Sequence, residues 1–381
     1  MQDAGDRWKM QDLFFSYREI DGWLAEHRVK NLLLVCGASI KRLKINEYFD
    51  TLPERTGIKV TPFSDFTPNP VYESVSAGVD VFHREDCDAI IAVGGGSAID
   101  VAKCIKLFSN MEHSRNYLEQ TIIPNEIPFL AMPTTAGTGS EATRFAVIYY
   151  NGVKQSVNDL SCIPDAVLFD PTVLETLPLY QKKATMLDAF CHALESFWSV
   201  NSTAESKAFS REAIRMILLH MDAYLSNDAA GNEGMLHAAN IAGKAINITQ
   251  TTAGHAMCYK ITSLFGTSHG HAAALCCRVL FPWMIENTDR CIDPRGEDYL
   301  RSTLNEIADT MGCQTPLEAS DRFNFIFNSL ALEVPEATEA QFAELRTSVN
   351  PQRLKNHPVL LDEGTIDLLY HEILKEKTYA G

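Results

Sequence analysis

Asp188 and His192 lie four residues apart in the stretch Asp188-Ala-Phe-Cys-His192-Ala-Leu-Glu-Ser-Phe-Trp-Ser. On a helix that spacing places them one turn apart on one face. A carboxylate and an imidazole converging in this way suit a divalent metal, but two ligands hold a metal poorly. Further along, His255 stands between small residues in Ala253-Gly-His-Ala-Met, and His269-Gly270-His271 follows. A histidine in an apolar helix is usually a core or surface residue. Here several features coincide. Asp188, His192, His255 and His269 together would make a three-nitrogen, one-oxygen set suited to Fe(II) or Zn(II). His271 competes with His269 for the last place, and chemistry alone does not separate them.

The second stretch with chemical meaning is Gly94-Gly95-Gly96-Ser97-Ala-Ile-Asp100-Val-Ala-Lys. Glycines after a strand let backbone N–H groups approach a pyrophosphate with no Cβ in the way. The helix that follows adds free donors and a favourable dipole. The stretch lacks the third glycine of the dinucleotide fingerprint and the Gly-Lys-Ser/Thr of a P-loop, so a plain tight turn is the alternative. Phe129-Leu-Ala-Met-Pro133-Thr134-Thr135-Ala-Gly-Thr138-Gly-Ser140 strengthens the ligand reading. Hydroxyls after a strand, at the carboxyl edge of a parallel sheet, stand where ligands dock. They can also cap the next helix.

These segments need elements to position them. The apolar patterns predict a helix over 12–28, strands over 31–36, 57–63 and 88–93, and helices over 41–52 and 71–84. Further strands are expected at 129–133, 145–150 and 166–170, with Asn151-Gly152 as a hairpin turn. From Tyr180 onward the patterns are helical, over 181–200, 204–225, 232–247, 253–264, 271–287, 297–310 and 316–329. Glu333–Glu339 is acidic and reads as an exposed connection. The expected architecture is an α/β nucleotide-binding domain with a parallel, Rossmann-like sheet over 1–178, then an all-α metal-binding domain over 179–381, with the active-site cleft between them.

The whole composition narrows the function classes. The chain has 381 residues, 46% hydrophobic and 22% charged, enough for two substantial cores. A net charge of −16 and the absence of a basic run speak against nucleic-acid binding. No run of 18 apolar residues occurs and the start is polar and acidic, so no membrane span or secretory leader is expected. Cytoplasm is the expected location. The ten cysteines show no zinc-finger or CxxC spacing and read mostly as buried reduced thiols.

The segments Gly94–Lys103, Pro133-Thr-Thr-Ala-Gly-Thr-Gly-Ser-Glu-Ala-Thr143, Asp188-Ala-Phe-Cys-His192 and His255…His269-Gly resemble the iron-containing (group III) alcohol dehydrogenase family, in order and over nearly the whole chain. The resemblance implies a dehydroquinate synthase-like, two-domain fold with one Fe(II), or Zn(II), on Asp188, His192, His255 and His269. The family spacing favours His269 over His271. It implies NAD(P)H held by Asn69, the loop Gly94, Gly95, Gly96 and Ser97 with Asp100, and Thr134, Thr135, Thr138 and Lys154. A homo-oligomer, dimer or larger, is also expected.

Two departures from the family pattern bear on specificity. Many members carry an acidic residue just after the first buried strand, where it repels the 2′-phosphate of NADPH. This chain has Gly37, Ser39, Lys41 and Arg42 there, so NADPH becomes acceptable. Four residues after His255, many members place a histidine thought to relay a proton. This chain has Tyr259, then Lys260. Either Tyr259 takes the relay, or protons pass through water or the cofactor ribose. Lys260, Arg144 and Arg353 are candidates to hold an anionic substrate group. The pattern around Tyr259-Lys260 and the Arg353 stretch resembles the phosphonoacetaldehyde reductase branch, with sulfoacetaldehyde reductases as close rivals. The expected reaction is reduction of a small anionic aldehyde, phosphonoacetaldehyde to 2-hydroxyethylphosphonate first among them. A general short-chain alcohol dehydrogenase is the alternative. A cyclase like dehydroquinate synthase is disfavoured by the Pro133–Thr143 motif, and a metal-binding scaffold by the Gly94–Ser97 loop.

Overall fold

The computed structural model describes residues 11–349 and 351–377. The polar acidic start of the chain and Asn350 lie outside them. The chain divides into two compact units, Met1–Leu177 with Asn227–Asn240, and Pro178–Ser226 with Ile241–Gly381. A single cut near residue 178 therefore does not describe it, because residues 227–240 group with the first unit.

The first unit runs β1 (Asp12–Phe14), α1 (Tyr17–Glu26), β2 (Asn31–Cys36), α2 (Ile45–Thr56), β3 (Lys59–Phe63), α3 (Tyr72–Arg84), β4 (Ala89–Gly94), α4 (Gly96–Phe108), β5 (Phe129–Pro133), β6 (Phe145–Tyr150), β7 (Val153–Asn158) and β8 (Ala166–Leu168). Six strands form a parallel sheet in the order β1-β8-β5-β4-β2-β3. The central strands β4 and β5 are buried throughout, which is why their sequences are unbroken apolar runs rather than alternating ones. From β2 the chain passes to β3 on one side and then to β4 on the other, so the order reverses between β2 and β4. In parallel sheets the crevice beyond the carboxyl ends at such a reversal is where ligands bind. Gly37 follows β2 there, and Gly94–Ser97 follows β4.

Two local expectations change. The helix expected over 12–28 begins at Tyr17, because Ser16 and Glu19 form a capping box in which Ser16 N donates to Glu19 Oε2 at 2.8 Å. Asp12–Phe14 is instead an extended edge strand paired with Ala166–Leu168. The strand at 145–150 does not join the large sheet. It folds back through Asn151 and Gly152, both at positive φ as a tight hairpin turn requires, into an antiparallel ribbon with β7.

The second unit contains α5 (Leu179–Trp198), α6 (Ala204–Leu225), the end of α7 (Ala229–Thr249), α8 (Ala253–Phe265), α9 (His269–Glu286), α10 (Glu297–Thr310) and α11 (Pro316–Ser329). Beyond these lie β9 (Glu336–Ala337), α12 (Glu339–Ser348), α13 (Pro351–Leu354), α14 (Glu363–Ile373) and β10 (Lys375–Glu376). Helix α5 is buried without a break from Met186 to Trp198, so it is a core helix rather than an amphipathic surface one. The 333–339 segment is not a mere connection, since β9 pairs in parallel with β10 and Ala337 is fully buried.

Candidate metal centre and nucleotide loop

Helix α5 carries Asp188 and His192, α8 carries His255 near its start, and α9 begins at His269. Asp188, His255 and His269 offer ligand atoms that all lie within 4.8 Å of one another. His192 Nε2 lies 3.9 Å from Asp188 Oδ1, and its ring stacks on that of His255 with centroids 4.5 Å apart. The approach of α9 to α5 depends on Gly270. A Cβ there would lie 2.1 Å from Ala184 O and 2.5 Å from Asp188 Cβ, which no side chain tolerates. The glycine after His269 therefore lets the N-terminus of α9 bring that histidine to Asp188.

Asp188 Oδ1 and His255 Nε2 face each other at 3.4 Å, both buried, and neither makes a hydrogen bond among the described residues. Buried polar atoms are rarely left so. A cation between them would satisfy both, and carboxylate plus imidazole is the donor set that iron and zinc accept. The residues present fit such an ion.

His255 is fixed from behind by Glu195, a residue the motif reading passed over. Glu195 is fully buried on α5. It accepts from His255 Nδ1, from Thr252 Oγ1 at 2.6 Å, from Thr252 N at 3.1 Å and from Gly254 N at 2.8 Å. Its place was legible: Asp188, His192 and Glu195 fall at i, i+4 and i+7, one helical face. Burial pushes the Glu195 carboxyl up, but the charge of His255 and the hydrogen bonds from His255 and Thr252 bring it down to about 2. Burial likewise disfavours charge on His255, and the carboxylates of Glu195 and Asp188 overcome that, raising it to about 9. Asp188 is held well below the usual carboxylate range by the surrounding imidazoles, against the opposing effect of burial.

His271 is turned elsewhere. Its Nδ1 lies 3.2 Å from the Tyr180 hydroxyl and its ring packs near Phe327. The geometry thus brings His269, and not His271, together with Asp188 and His255. The Tyr259 ring stacks on His269 with centroids 5.2 Å apart. Its hydroxyl accepts from Arg353 Nη1 at 2.6 Å, and the guanidinium sits 4.8 Å from the ring centre. Lys260, the first expected anion grip, is ion-paired with Glu344 of α12. One residue along a helix turns a side chain by about 100°, so Tyr259 shares the face of His255 and Lys260 does not. Arg144 belongs to the first unit, where its guanidinium lies 5.3 Å from the Phe145 ring centre.

In the first unit the two glycine- and hydroxyl-rich segments meet. Thr134 N donates to Gly94 O at 3.0 Å. A Cβ on Gly95 would lie 3.3 Å from Thr135 Oγ1, and one on Gly96 3.1 Å from Thr138 Cγ2. Gly95 is the N-cap of α4, whose first N–H groups are those of Gly96 and Ser97. Asp100, expected among the cofactor contacts, is instead tied into the fold. One oxygen accepts from Ser140 Oγ at 2.6 Å and the other from Val147 N at 3.0 Å. Burial pushes the Asp100 carboxyl up, opposed in part by the charges of Lys103 and of Lys154 on β7. Asn69 holds a positive φ of 57° before Pro70, whose carbonyl accepts from Tyr149 N. Beyond β2, Gly37 leads into a 3-10 turn over Ala38–Arg42 in which Ser39, Lys41 and Arg42 are exposed.

Two family descriptions match the chain: iron-containing alcohol dehydrogenase over residues 15–171, and the C-terminal part of the Fe-containing alcohol dehydrogenase family over 182–355. The chain belongs to the iron-containing alcohol dehydrogenases. It is therefore an enzyme of alcohol and aldehyde oxidoreduction. Among its relatives is alcohol dehydrogenase 4 of Schizosaccharomyces pombe, 30% identical over 314 residues, which are 80% of this chain and 71% of the relative. Phosphonoacetaldehyde reductase of Streptomyces viridochromogenes is 29% identical over 315 residues, 79% of this chain and 80% of that one. The crystal structure of sulfoacetaldehyde reductase from Bifidobacterium kashiwanohense in complex with NAD+ superposes with a TM-score of 0.84 at 23% identity, over 95% of this chain and 96% of that one. At that identity the likeness speaks for the shared fold.

None of the ten cysteines is in a disulfide, and eight are buried. No helix among the described residues is long and apolar enough to cross a membrane.

Proposed function

We propose that this enzyme reduces a small anionic aldehyde to its alcohol with NAD(P)H, with phosphonoacetaldehyde as the first candidate substrate. The observation that carries the substrate class is Arg353, whose guanidinium is anchored on Tyr259 beside His269. The phosphonoacetaldehyde reductase among the relatives, similar over most of both chains, supports the same choice.

A divalent iron or zinc ion would supply Lewis acidity toward the aldehyde carbonyl, and a nicotinamide would supply the hydride. Asp188, His192, His255 and His269 are the residues that would hold the ion. With the ion on Nε2, the ring nitrogen that faces Asp188, Glu195 would hold the His255 proton on Nδ1. Arg353 offers a planar fork of donors, of which one reaches the Tyr259 hydroxyl. A phosphonate or sulfonate held by that fork fixes the two-carbon aldehyde relative to His269, and a fixed orientation lowers the entropic part of the barrier. The Tyr259 hydroxyl, which accepts from Arg353, is the candidate to return a proton to the product oxygen, with water or the cofactor ribose as the alternative route.

The Gly94–Ser97 loop and the start of α4 would receive the pyrophosphate, with Thr134, Thr135 and Thr138 supplying polar contacts beside it. Gly37 and Ser39, followed by Lys41 and Arg42, leave room and positive charge for a 2′-phosphate. A neutral short-chain aldehyde would make no use of Arg353, which favours the anionic reading over a general alcohol dehydrogenase.

The test is steady-state kinetics of Arg353→Ala and Lys260→Ala with phosphonoacetaldehyde, sulfoacetaldehyde and butyraldehyde. Arg353→Ala raises KM for the two anionic aldehydes and leaves butyraldehyde nearly unchanged. Equal effects on all three would remove Arg353 from substrate recognition.

A further inference from the structure

We propose that Cys258 is a positioning residue for the metal centre, the outer partner that orients His269. The inference rests on the reading of Asp188, His255 and His269 as metal ligands, and not on the identity of the aldehyde.

Cys258 is fully buried on α8, three residues after His255. Its sulfur lies 3.6 Å from His269 Nδ1 and 3.3 Å from the His255 carbonyl oxygen. One thiol thus links the first residue of α9 to the α8 backbone at His255. The two contacts are compatible with one hydrogen pattern only if roles are shared. The S–H donates to the His255 carbonyl, and His269 Nδ1–H donates to the sulfur. That pattern puts the His269 proton on Nδ1 and the metal-binding lone pair on Nε2.

Histidine ligands characteristically donate their second N–H to an outer partner, which fixes ring and tautomer together. In this chain the two partners differ in kind. His255 has the buried carboxylate of Glu195, a strong charged acceptor. His269 has a thiol, a weak acceptor, with the Tyr259 ring against its face. The sequence carries this asymmetry within one helix, as His255, Cys258 and Tyr259. The contribution of Cys258 is orientation of His269 rather than chemistry on the substrate.

The probe is Co(II), added to metal-free full-length protein and followed by its visible ligand-field bands, with no aldehyde or nicotinamide present. Cys258→Ala removes both hydrogen-bonding roles, while Cys258→Ser keeps a group that donates and accepts. The alanine variant should bind Co(II) about 10- to 100-fold more weakly, the usual cost of losing an outer partner, with shifted bands. The serine variant should bind close to the parent, with a parent-like spectrum. Should the alanine variant fail to fold, Cys258→Val fills the space without either role and carries the same expectation. Parent-like affinity and bands in the alanine variant would overturn the inference. So would a serine variant as weakened as the alanine one, which would make Cys258 a packing residue only. A parent protein that binds no Co(II) would instead overturn the metal reading beneath it, and His255→Ala, which should lose Co(II) whatever Cys258 does, separates the two failures.

Discussion

Arg353 and Lys260 show how far a one-residue difference on a helix reaches. Both are cations near Tyr259 in sequence or space, yet Lys260 is matched by Glu344 while Arg353 leans on the Tyr259 ring and hydroxyl. Truncating a cation that grips a charged group typically costs about 2 kcal/mol or more, which is tens-fold in an affinity. Arg353→Ala should therefore raise KM for phosphonoacetaldehyde by tens-fold, while Lys260→Ala, which breaks a half-exposed pair, should change it by less than about fivefold. A second residue-scale expectation concerns Glu195. Glu195→Gln keeps the shape and removes the charge behind His255, and should weaken metal retention by about 10- to 100-fold, read by metal content after dialysis against a chelator. Unchanged retention would show that the carboxylate only caps the start of α8. Asp188 and His192 were legible because four-residue spacing is a local property of a helix. Glu195 occupies the same face, but its meaning lies in the N–H groups of Thr252 and Gly254, which no local pattern places beside it.

At the scale of elements, the junction of α5 with the start of α9 is what assembles the ligands. Gly270→Ala forces a Cβ onto the Ala184 carbonyl and Asp188. Overpacking of this kind costs about 1–3 kcal/mol, and here it also pushes His269 away from Asp188. The variant should unfold at lower denaturant than the parent and lose metal affinity together with stability. A stable variant with intact metal binding would mean that α9 can shift without disturbing the site. The buried strands of the large sheet were readable as apolar runs, and α6, α10 and α11 fall where their patterns predict. Other elements were not readable for physical reasons. Asp12–Phe14 is extended only because it pairs with residues about 150 positions away. The short helices α12, α13 and α14 were missed because they are 10, 4 and 11 residues long, and so short a run carries little periodic signal.

For the whole molecule, the division into two units was visible as a change of pattern near residue 178, while the return of residues 227–240 to the first unit was not, since that stretch reads as one more helix. A metal that binds the folded chain and not the unfolded one stabilises it by mass action. Chelation should thus lower the thermal midpoint of the parent and leave that of His255→Ala nearly unmoved. The most direct measurement of the central claim is the initial rate of NADPH and NADH oxidation by Fe(II)- or Zn(II)-loaded protein with phosphonoacetaldehyde, sulfoacetaldehyde and butyraldehyde, before and after chelation. The account predicts metal-dependent turnover, with kcat/KM for the anionic aldehydes, phosphonoacetaldehyde first, well above that for butyraldehyde, and with NADPH accepted. Equal or greater kcat/KM for butyraldehyde, or turnover that survives complete removal of the metal, would contradict it.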